Sequence, residues 1–575
     1  MSKYPDILNK TFYNTINKIY SKYRIPRDNR TIEEYCRPKK FALQKPQEFL
    51  GEFISPSTPY KSILVYHRIG AGKTCAAVQI AEKWKKQRRV VFVLPASLKG
   101  NLRGELRSLC AGNEYLKPYE RKRLQELNPS DPEYIKLIER SDERIDLYYS
   151  IYSYNKFIEL TKKNQIVLRN SILIIDEIQN MVSEKGSYYM ELKRLIDRSP
   201  EDLRIVLLSA TPMFDQPTEI ALTINLLRPS IELPIGREFV NTFIKKKISG
   251  DKQIYDVKNM DMFKKMIKGY ISYYGGAPSY TFPEMKIRYI ECEMSDFQYS
   301  VYRSLLKNEN HGNSLQREPN KELINASDLP NNFYIGTRFV SNIVFPNKKT
   351  GEIGLNSLTP KKILDNLDKY SIKFSRIIRS VQHTNGKHFI YSSFKEHAGL
   401  KSLIAILEAF GYKNYIVHGP GKKRFAVWSG DETNRVRDEI KEVFNRYDNL
   451  NGSKLKMVLG SPSIKEGVSF KAVRTVHVLE PYWNRARLEQ VVGRASRFCS
   501  HQDLPEEQRK VKVYCYLAIH RDEPLSVDQY IKNLSGVKNK IIMQFVQAIK
   551  EASVDCTLNL NANQTNDTDR IVCEK

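Results

Sequence analysis

The stretch SILVYHRIGAGKTCAA, residues 62–77, decides the fold. Its first six residues are rich in Val, Ile and Leu on consecutive positions, as in a strand buried on both faces. From Cys75 a helical pattern runs to Lys86. Between the two lies a turn made of Gly70, Ala71, Gly72, Lys73 and Thr74. Glycines there let backbone N–H groups curl around phosphate oxygens with no Cβ in the way. The helix N-terminus adds partial positive charge. Lys73 is expected to reach the β- and γ-phosphates, and Thr74 to bind Mg²⁺. One departure stands out: the full G-x-x-x-x-G-K-[ST] pattern begins with Gly, and His67 occupies that position.

Working outward, VVFVLP at 90–95, ILIID at 172–176 and RIVLLSATP at 204–212 repeat the apolar texture, with helical stretches between them. Strands alternating with helices predict a doubly wound parallel sheet. A second alternation follows, with strands expected at KHFIYSSF (387–394), YIVHG (415–419), KMVLGS (456–461), TVHVLEP (475–481) and KVYCYLAI (512–519). The expected organisation is a basic N-terminal arm at 1–40, a nucleotide-binding core at 41–230, and a mixed insertion at 231–375. A second α/β core follows at 376–520, then a helical extension at 521–575.

ILIIDEIQ ends its strand with Asp176 and Glu177. Carboxylates at a strand tip beside a phosphate loop suit two tasks: Asp176 holds Mg²⁺, partly through water, and Glu177 orients or deprotonates the attacking water. In LLSATPMFD at 207–215, Ser209 and Thr211 sit in a turn after a strand, placed to relay position between nucleotide and neighbouring lobe. In LEQVVGRASRFCSH at 488–501, Gln490, Gly493, Arg494 and Arg497 lie together. The two arginines are three apart and share one face if helical. Planar guanidinium groups suit the spread charge of a transferring phosphoryl group, and the second core would supply them across a cleft.

The ordered set GAGKT, DEIQ, SATP and QVVGRASR resembles the superfamily-two helicase and translocase motor. GSPSIKEGVSF at 460–470 is similar to that family's motif V, with Glu466 and Gly467 implied to contact nucleotide or strand. KPQEFL at 45–50 stands in the place of the adenine-reading glutamine motif, with Gln47 the match. LPASL, YSIYSYNKF and FIYSSF stand in the places of motifs Ia, Ib and IV. The DEIQ box departs from DEAD and DEAH, so no assignment to those RNA-remodelling subfamilies follows. SPSTPYKSILVYHRIGAGKT, TRFVSNIVFP (337–346), VHVLEPYWN, GRASRFCSH and SVDC (553–556) resemble helicase-like ATPases of large cytoplasmic DNA viruses. That group includes the poxvirus early transcription factor small subunit and nucleoside triphosphate phosphohydrolase I. The resemblance implies two tandem RecA-like parallel-sheet α/β domains with a mixed insertion and a helical tail. It also implies ATP and Mg²⁺ as cofactors, and a nucleic-acid partner with DNA favoured over RNA. A viral RNA polymerase or transcription factor subunit is implied as a protein partner, and the virion and host cytoplasm as the location.

Composition bounds the partners independently. The chain has 575 residues, with 93 Lys+Arg against 65 Asp+Glu, for a net charge of +28. Such a balance predicts a polyanionic partner. None of the eight cysteines shows C-x-x-C spacing, so no zinc ribbon is expected. No secretory h-region or membrane-length apolar run is present, so no membrane partner is expected. Thiols are expected to be mostly free, in a reducing compartment. The leading expectation is an ATP-dependent translocase or helicase serving viral transcription. The alternative is a DNA-dependent ATPase acting in transcription initiation or termination without strand separation. A decayed, non-catalytic motor would have lost Lys73, Glu177, Arg494 or Arg497, and all four are present.

Overall fold

The computed structural model describes residues 3–27, 30–128, 131–184, 186–249, 252–312, 334–465, 468–564 and 570–575. The chain forms two units. The first takes residues 1–247, 254–279 and 540–575, and the second takes 248–253 and 280–539.

The first unit is built on six strands: β1 (Ser62–His67), β2 (Arg89–Leu94), β3 (Tyr149–Ser153), β4 (Ser171–Ile175), β5 (Arg204–Ser209) and, after a β6–β7 pair (Ile244–Ser249, Lys252–Val257), β8 (Ile271–Tyr274). They lie in the order β3-β2-β4-β5-β1-β8, all parallel. Every residue of β1 and β4 is buried, which explains their unbroken aliphatic runs. Helix Lys73–Trp84 covers the sheet with Ala76, Ala77, Val78, Ile80 and Ala81, small enough for close approach.

Within the expected basic arm at 1–40, the segment from Phe12 to Tyr23 packs into this unit. Helix Phe12–Ile19 buries Phe12, Tyr13 and Ile16, and an aromatic cluster follows, with Phe53 and Tyr60 stacked at 4.4 Å. Pooled aromatic burial of this kind is worth more than its area alone. The chain also returns at its far end: helix Cys556–Asn563 lies beneath β8.

The second unit holds β9 (Glu284–Glu293), β10 (Lys387–Tyr391), β11 (Lys413–Asn414), β12 (Arg424–Trp428), β13 (Met457–Gly460), β14 (Val473–Val478) and β15 (Lys510–Ile519). Their order is β11-β12-β13-β10-β14-β15-β9, again all parallel. Both units are therefore parallel-sheet α/β domains of the RecA-like kind, with a mixed region between and a helical C-terminus. The mixed region 231–375 is shared out: β8 joins the first sheet, and β9 pairs along its whole length with β15 in the second.

Two expectations fail here. YIVHG at 415–419 is a short helix, Tyr415–His418, because the Asn414 side chain caps the Ile416 N–H and Gly419 ends it at φ +65°. The strand is RFAVW at 424–428. Nor are the thiols mostly free: Cys75 pairs with Cys110 and Cys556 with Cys573 as disulfides, while Cys292 and Cys515 are buried free thiols. Cysteines far apart in sequence give no spacing signal of such pairing. No helix among the described residues is long and apolar enough to cross a membrane.

The second core buries a hydrogen-bonded file of rings. His388 Nδ1 lies 3.1 Å from His477 Nε2, and His477 Nδ1 lies 2.8 Å from the Tyr516 hydroxyl. Burial pushes His388 down to about 3, His501 to about 4, and His477 well below its usual range. The neutral rings are the folded form. Their contribution is whole above the ordinary value of 6.5 and is lost as pH falls from there toward the folded values, at about 1.4 kcal/mol per pH unit for each ring. The buried carboxyls Glu219, Glu480 and Asp555 are raised by burial and act in the opposite sense. The His388→Gln/His477→Gln variant should therefore lose less stability than the parent between pH 7 and pH 4. Paired urea titrations check this, and an identical pH dependence would contradict it.

Candidate active site

All strands of the first sheet run parallel, so their C-terminal ends share one edge. β4, β5 and β1 are consecutive neighbours in that sheet. Their ends deliver the acidic pair, the Ser-Ala-Thr turn and the glycine loop in that order.

The loop owes its shape to Gly70 and Gly72, at φ +85° and +71°. A Cβ on Gly72 would collide with the Gln47 amide nitrogen. Gln47, on helix Lys45–Phe53, donates to the Gly72 carbonyl at 3.1 Å and accepts from the Gln44 N–H at 2.8 Å. Sequence reasoning placed Gln47 at the nucleotide. Here it is buried and clasps the loop itself. Ala71 is buried, and Thr74 follows Lys73 in the first turn of the helix.

Lys73 Nζ lies 2.6 Å from Glu177 Oε1 and 3.1 Å from Asp176 Oδ1. Burial opposes the charge on Lys73, but the two carboxylates overcome it and hold the ammonium above its ordinary value. Burial raises Asp176, against the pull of Lys73. Glu177 adopts φ +52°, unusual for a residue with a side chain.

From Glu177 a chain of side chains crosses the sheet edge. Gln179 Nε2 donates to Glu177 Oε2 at 2.6 Å, Ser209 Oγ donates to Gln179 Oε1 at 2.6 Å, and the Thr211 N–H donates to Ser209 Oγ at 3.0 Å. The Tyr154 hydroxyl donates to the carbonyls of Asp176 and Glu177. Glu219, pushed up to about 8 by burial, accepts from the Phe214 and Asp215 N–H groups just past the turn. Lys73, Asp176, Glu177, Ser209 and Thr211 thus form one connected cluster. Sequence reasoning missed Gln179, Tyr154 and Glu219. Gln179 stands in the DEIQ box, where it was read only as a departure from DEAD. Tyr154 and Glu219 reach the cluster through tertiary packing, for which spacing carries no signal.

Gln490, Arg494 and Arg497 belong to the second unit. Gln490 lies on helix Arg485–Val492, capped by the Asn484 side chain. The arginines do not share a helical face, because the helix ends at Val492 and Gly493 leads into tight turns. Arg494 is buried, with Nη1 3.4 Å from the Val468 carbonyl, and Arg497 Nε donates to the Gly493 carbonyl at 3.1 Å. Glu466 and Gly467 lie outside the described residues. Two segments with viral resemblance, at Asn342 and Glu480, meet the segment in the place of motif IV at the buried Glu480 carboxylate, which accepts from Asn342, Ser392 and the Ser393 N–H at 2.7, 2.6 and 2.8 Å.

Removing the link between Glu177 and Ser209 should slow turnover without loosening nucleotide. Gln179→Ala is expected to lower kcat for ATP about tenfold, the value of one well-placed hydrogen bond to a charged group. KM should stay within about twofold. Steady-state ATPase kinetics check both numbers.

Two family models match the chain: the DEAD/DEAH box helicase model over residues 51–220, and the helicase conserved C-terminal domain over residues 372–499. One relative, the "Putative ATP-dependent RNA helicase R563" of Acanthamoeba polyphaga mimivirus, is 48% identical over 573 residues, covering 100% of this chain and 99% of its own. The "Termination factor NPH-I homolog" of an African swine fever virus isolate is 24% identical over 572 residues, covering 87% of this chain and 77% of its own. With its phosphate loop, acidic pair and Ser-Ala-Thr turn joined at one sheet edge, the chain belongs to the DEAD/DEAH-type helicases, in the group carried by large DNA viruses.

Proposed function

We propose that this enzyme hydrolyses ATP to ADP and phosphate in order to move along or separate strands of nucleic acid, with DNA as the favoured track, in viral transcription. The observation that carries the reading is the cluster of Lys73, Asp176 and Glu177, wired through Gln179 to Ser209 and Thr211. The net charge of +28 leaves a large cationic surplus for a phosphodiester backbone.

In this reading Gly70, Ala71 and Gly72 offer backbone N–H groups to the phosphates, and Gln47 keeps the loop in shape. Lys73 exchanges its carboxylate partners for phosphate oxygens. Thr74 and Asp176 present hydroxyl and carboxylate oxygens, hard donors that suit Mg²⁺, which would neutralise phosphate charge when bound. Glu177 orients the attacking water and takes its proton. Gln179 holds Glu177, so that the turn at Ser209 and Thr211 feels the state of the site. Gln490, Gly467, Arg494 and Arg497 are assigned to the same turnover from the second unit. The guanidinium groups stabilise charge on the transferring phosphoryl group.

A second reading is favoured by the relative named as a termination factor. There ATP hydrolysis would release or load transcription proteins, a viral polymerase or factor subunit among them, without unwinding. Both readings place the protein in the virion and the infected-cell cytoplasm.

ATPase assays with single-stranded DNA, duplex DNA and RNA separate these cases. Turnover should rise at least tenfold with one of them and fall steeply with salt; no stimulation by any would overturn the proposal. Lys73→Ala should abolish turnover with the fold intact. Strand displacement measured beside translocation distinguishes the helicase from the factor.

A further inference from the structure

His67, the residue that replaces the first glycine of the phosphate-loop pattern, is fully buried at the end of β1. Its Nε2 lies 3.2 Å from Ser272 Oγ on β8. Ser272 Oγ in turn lies 2.6 Å from Asp555 Oδ2, in the SVDC segment near the C-terminus. Asp555 is fully engaged: Oδ1 accepts from the Tyr273 N–H at 2.9 Å, and Oδ2 also accepts from Asn559 Nδ2 at 2.9 Å.

Proton counting gives the direction of this chain. A hydroxyl has one proton, and Ser272 spends it on the carboxylate. Ser272 Oγ must then accept from His67, which places the ring proton on Nε2. Burial, with Lys73 nearby, pushes His67 down to about 3, so the ring is neutral and has no second proton. His67 Nδ1 is left as a buried acceptor with no hydrogen-bond partner among the described residues. The same end of the chain grips the neighbouring backbone. Asn559 Nδ2 donates to the Tyr273 carbonyl at 3.0 Å, and Asn563 Oδ1 accepts from the Gly275 N–H at 2.7 Å. The strand so held reaches the phosphate loop: the Arg68 N–H donates to the Tyr274 carbonyl at 3.1 Å, and a Cβ on Gly276 would stand 3.4 Å from the Ala71 Cβ.

We infer that Asp555, Ser272 and His67 form a positioning relay through which the C-terminal SVDC segment sets the first residue of the phosphate loop for nucleotide. Asp555 and Ser272 are positioning residues: they act on nucleotide only through His67 and β8. The relay explains two features together. A histidine replaces glycine because its ring is a strut between β1 and β8. An aspartate some 490 positions downstream belongs to the nucleotide-binding unit because only a carboxylate can accept all three donors. Asn at 555 would turn one acceptor into a donor facing another donor.

The inference rests on the loop binding nucleotide, so the readout is binding as well as turnover. Titration of the full-length protein with Mg·ADP gives Kd, and steady-state assays give KM and kcat for ATP. Ser272→Ala, His67→Ala and Asp555→Asn should each raise Kd and KM about tenfold, with kcat within about threefold. Ser272→Thr, which keeps the hydroxyl, should restore both. The His67→Ala/Ser272→Ala double variant should be no worse than either single one, since both break the same link. Thermal melts identify any variant that fails to fold, and the remaining members then decide. Kd for Ser272→Ala within twofold of the parent, or additive effects in the double variant, would overturn the relay. A parent that binds Mg·ADP but never hydrolyses ATP would instead overturn the motor reading and leave the relay test standing.

Discussion

A buried ammonium group has to find negative charge, and in this molecule Lys73 finds it in Asp176 and Glu177, at 3.1 and 2.6 Å. Much of the first unit is arranged around that requirement. The ammonium sits on the helix that follows β1, and the carboxylates sit past the end of β4, with β5 between the two strands. Only a parallel sheet brings those ends to one edge. Losing one partner of such a pair would leave an uncompensated buried charge, a cost of about 3–5 kcal/mol. The same charge balance makes the cluster responsive. In the proposed cycle phosphate oxygens compete for Lys73, and consecutive hydrogen bonds join that position to Glu177, Gln179, Ser209 and Thr211.

The cluster is also braced from outside the motifs. Tyr154 pins the backbone at Asp176 and Glu177, Gln47 clasps Gly72, and Glu219 gathers the turn after Thr211. The Tyr154 contact falls on Glu177 itself, whose backbone takes a left-handed conformation that a residue with a side chain rarely adopts. On the other side, β8 and the C-terminal helix Cys556–Asn563 close the sheet beside β1. A unit whose active edge lies in the first 220 residues is thus finished by residues from its last 25.

What was legible in the sequence follows from this geometry. GAGKT, DEIQ and SATP are short local segments whose backbone shape and side chains act where they stand, so spacing and residue type revealed them. The aliphatic runs of β1, β2, β4 and β5 were legible because both faces are buried. The C-terminal placement of Asp555 was not, since nothing local says that a helix after residue 553 will dock on a strand at 271. β12 was missed because RFAVW is short and bounded by charge, while the neighbouring YIVHG has the residues of a strand but an Asn cap before it. Arg494 and Arg497 would share a face only in a helix, and the helix stops at Val492. The disulfides joined cysteines 35 and 17 positions apart, in no recognisable spacing.

In the proposed mechanism Glu177, held between Lys73 and Gln179, activates water at a site built by the first unit. The most direct measurement is ATP binding beside ATP turnover for Glu177→Gln, in the presence of an activating nucleic acid. The expected result is a Kd for ATP within about threefold of the parent and a kcat at least about a hundredfold lower, the scale of a lost general base. Turnover near that of the parent would contradict it.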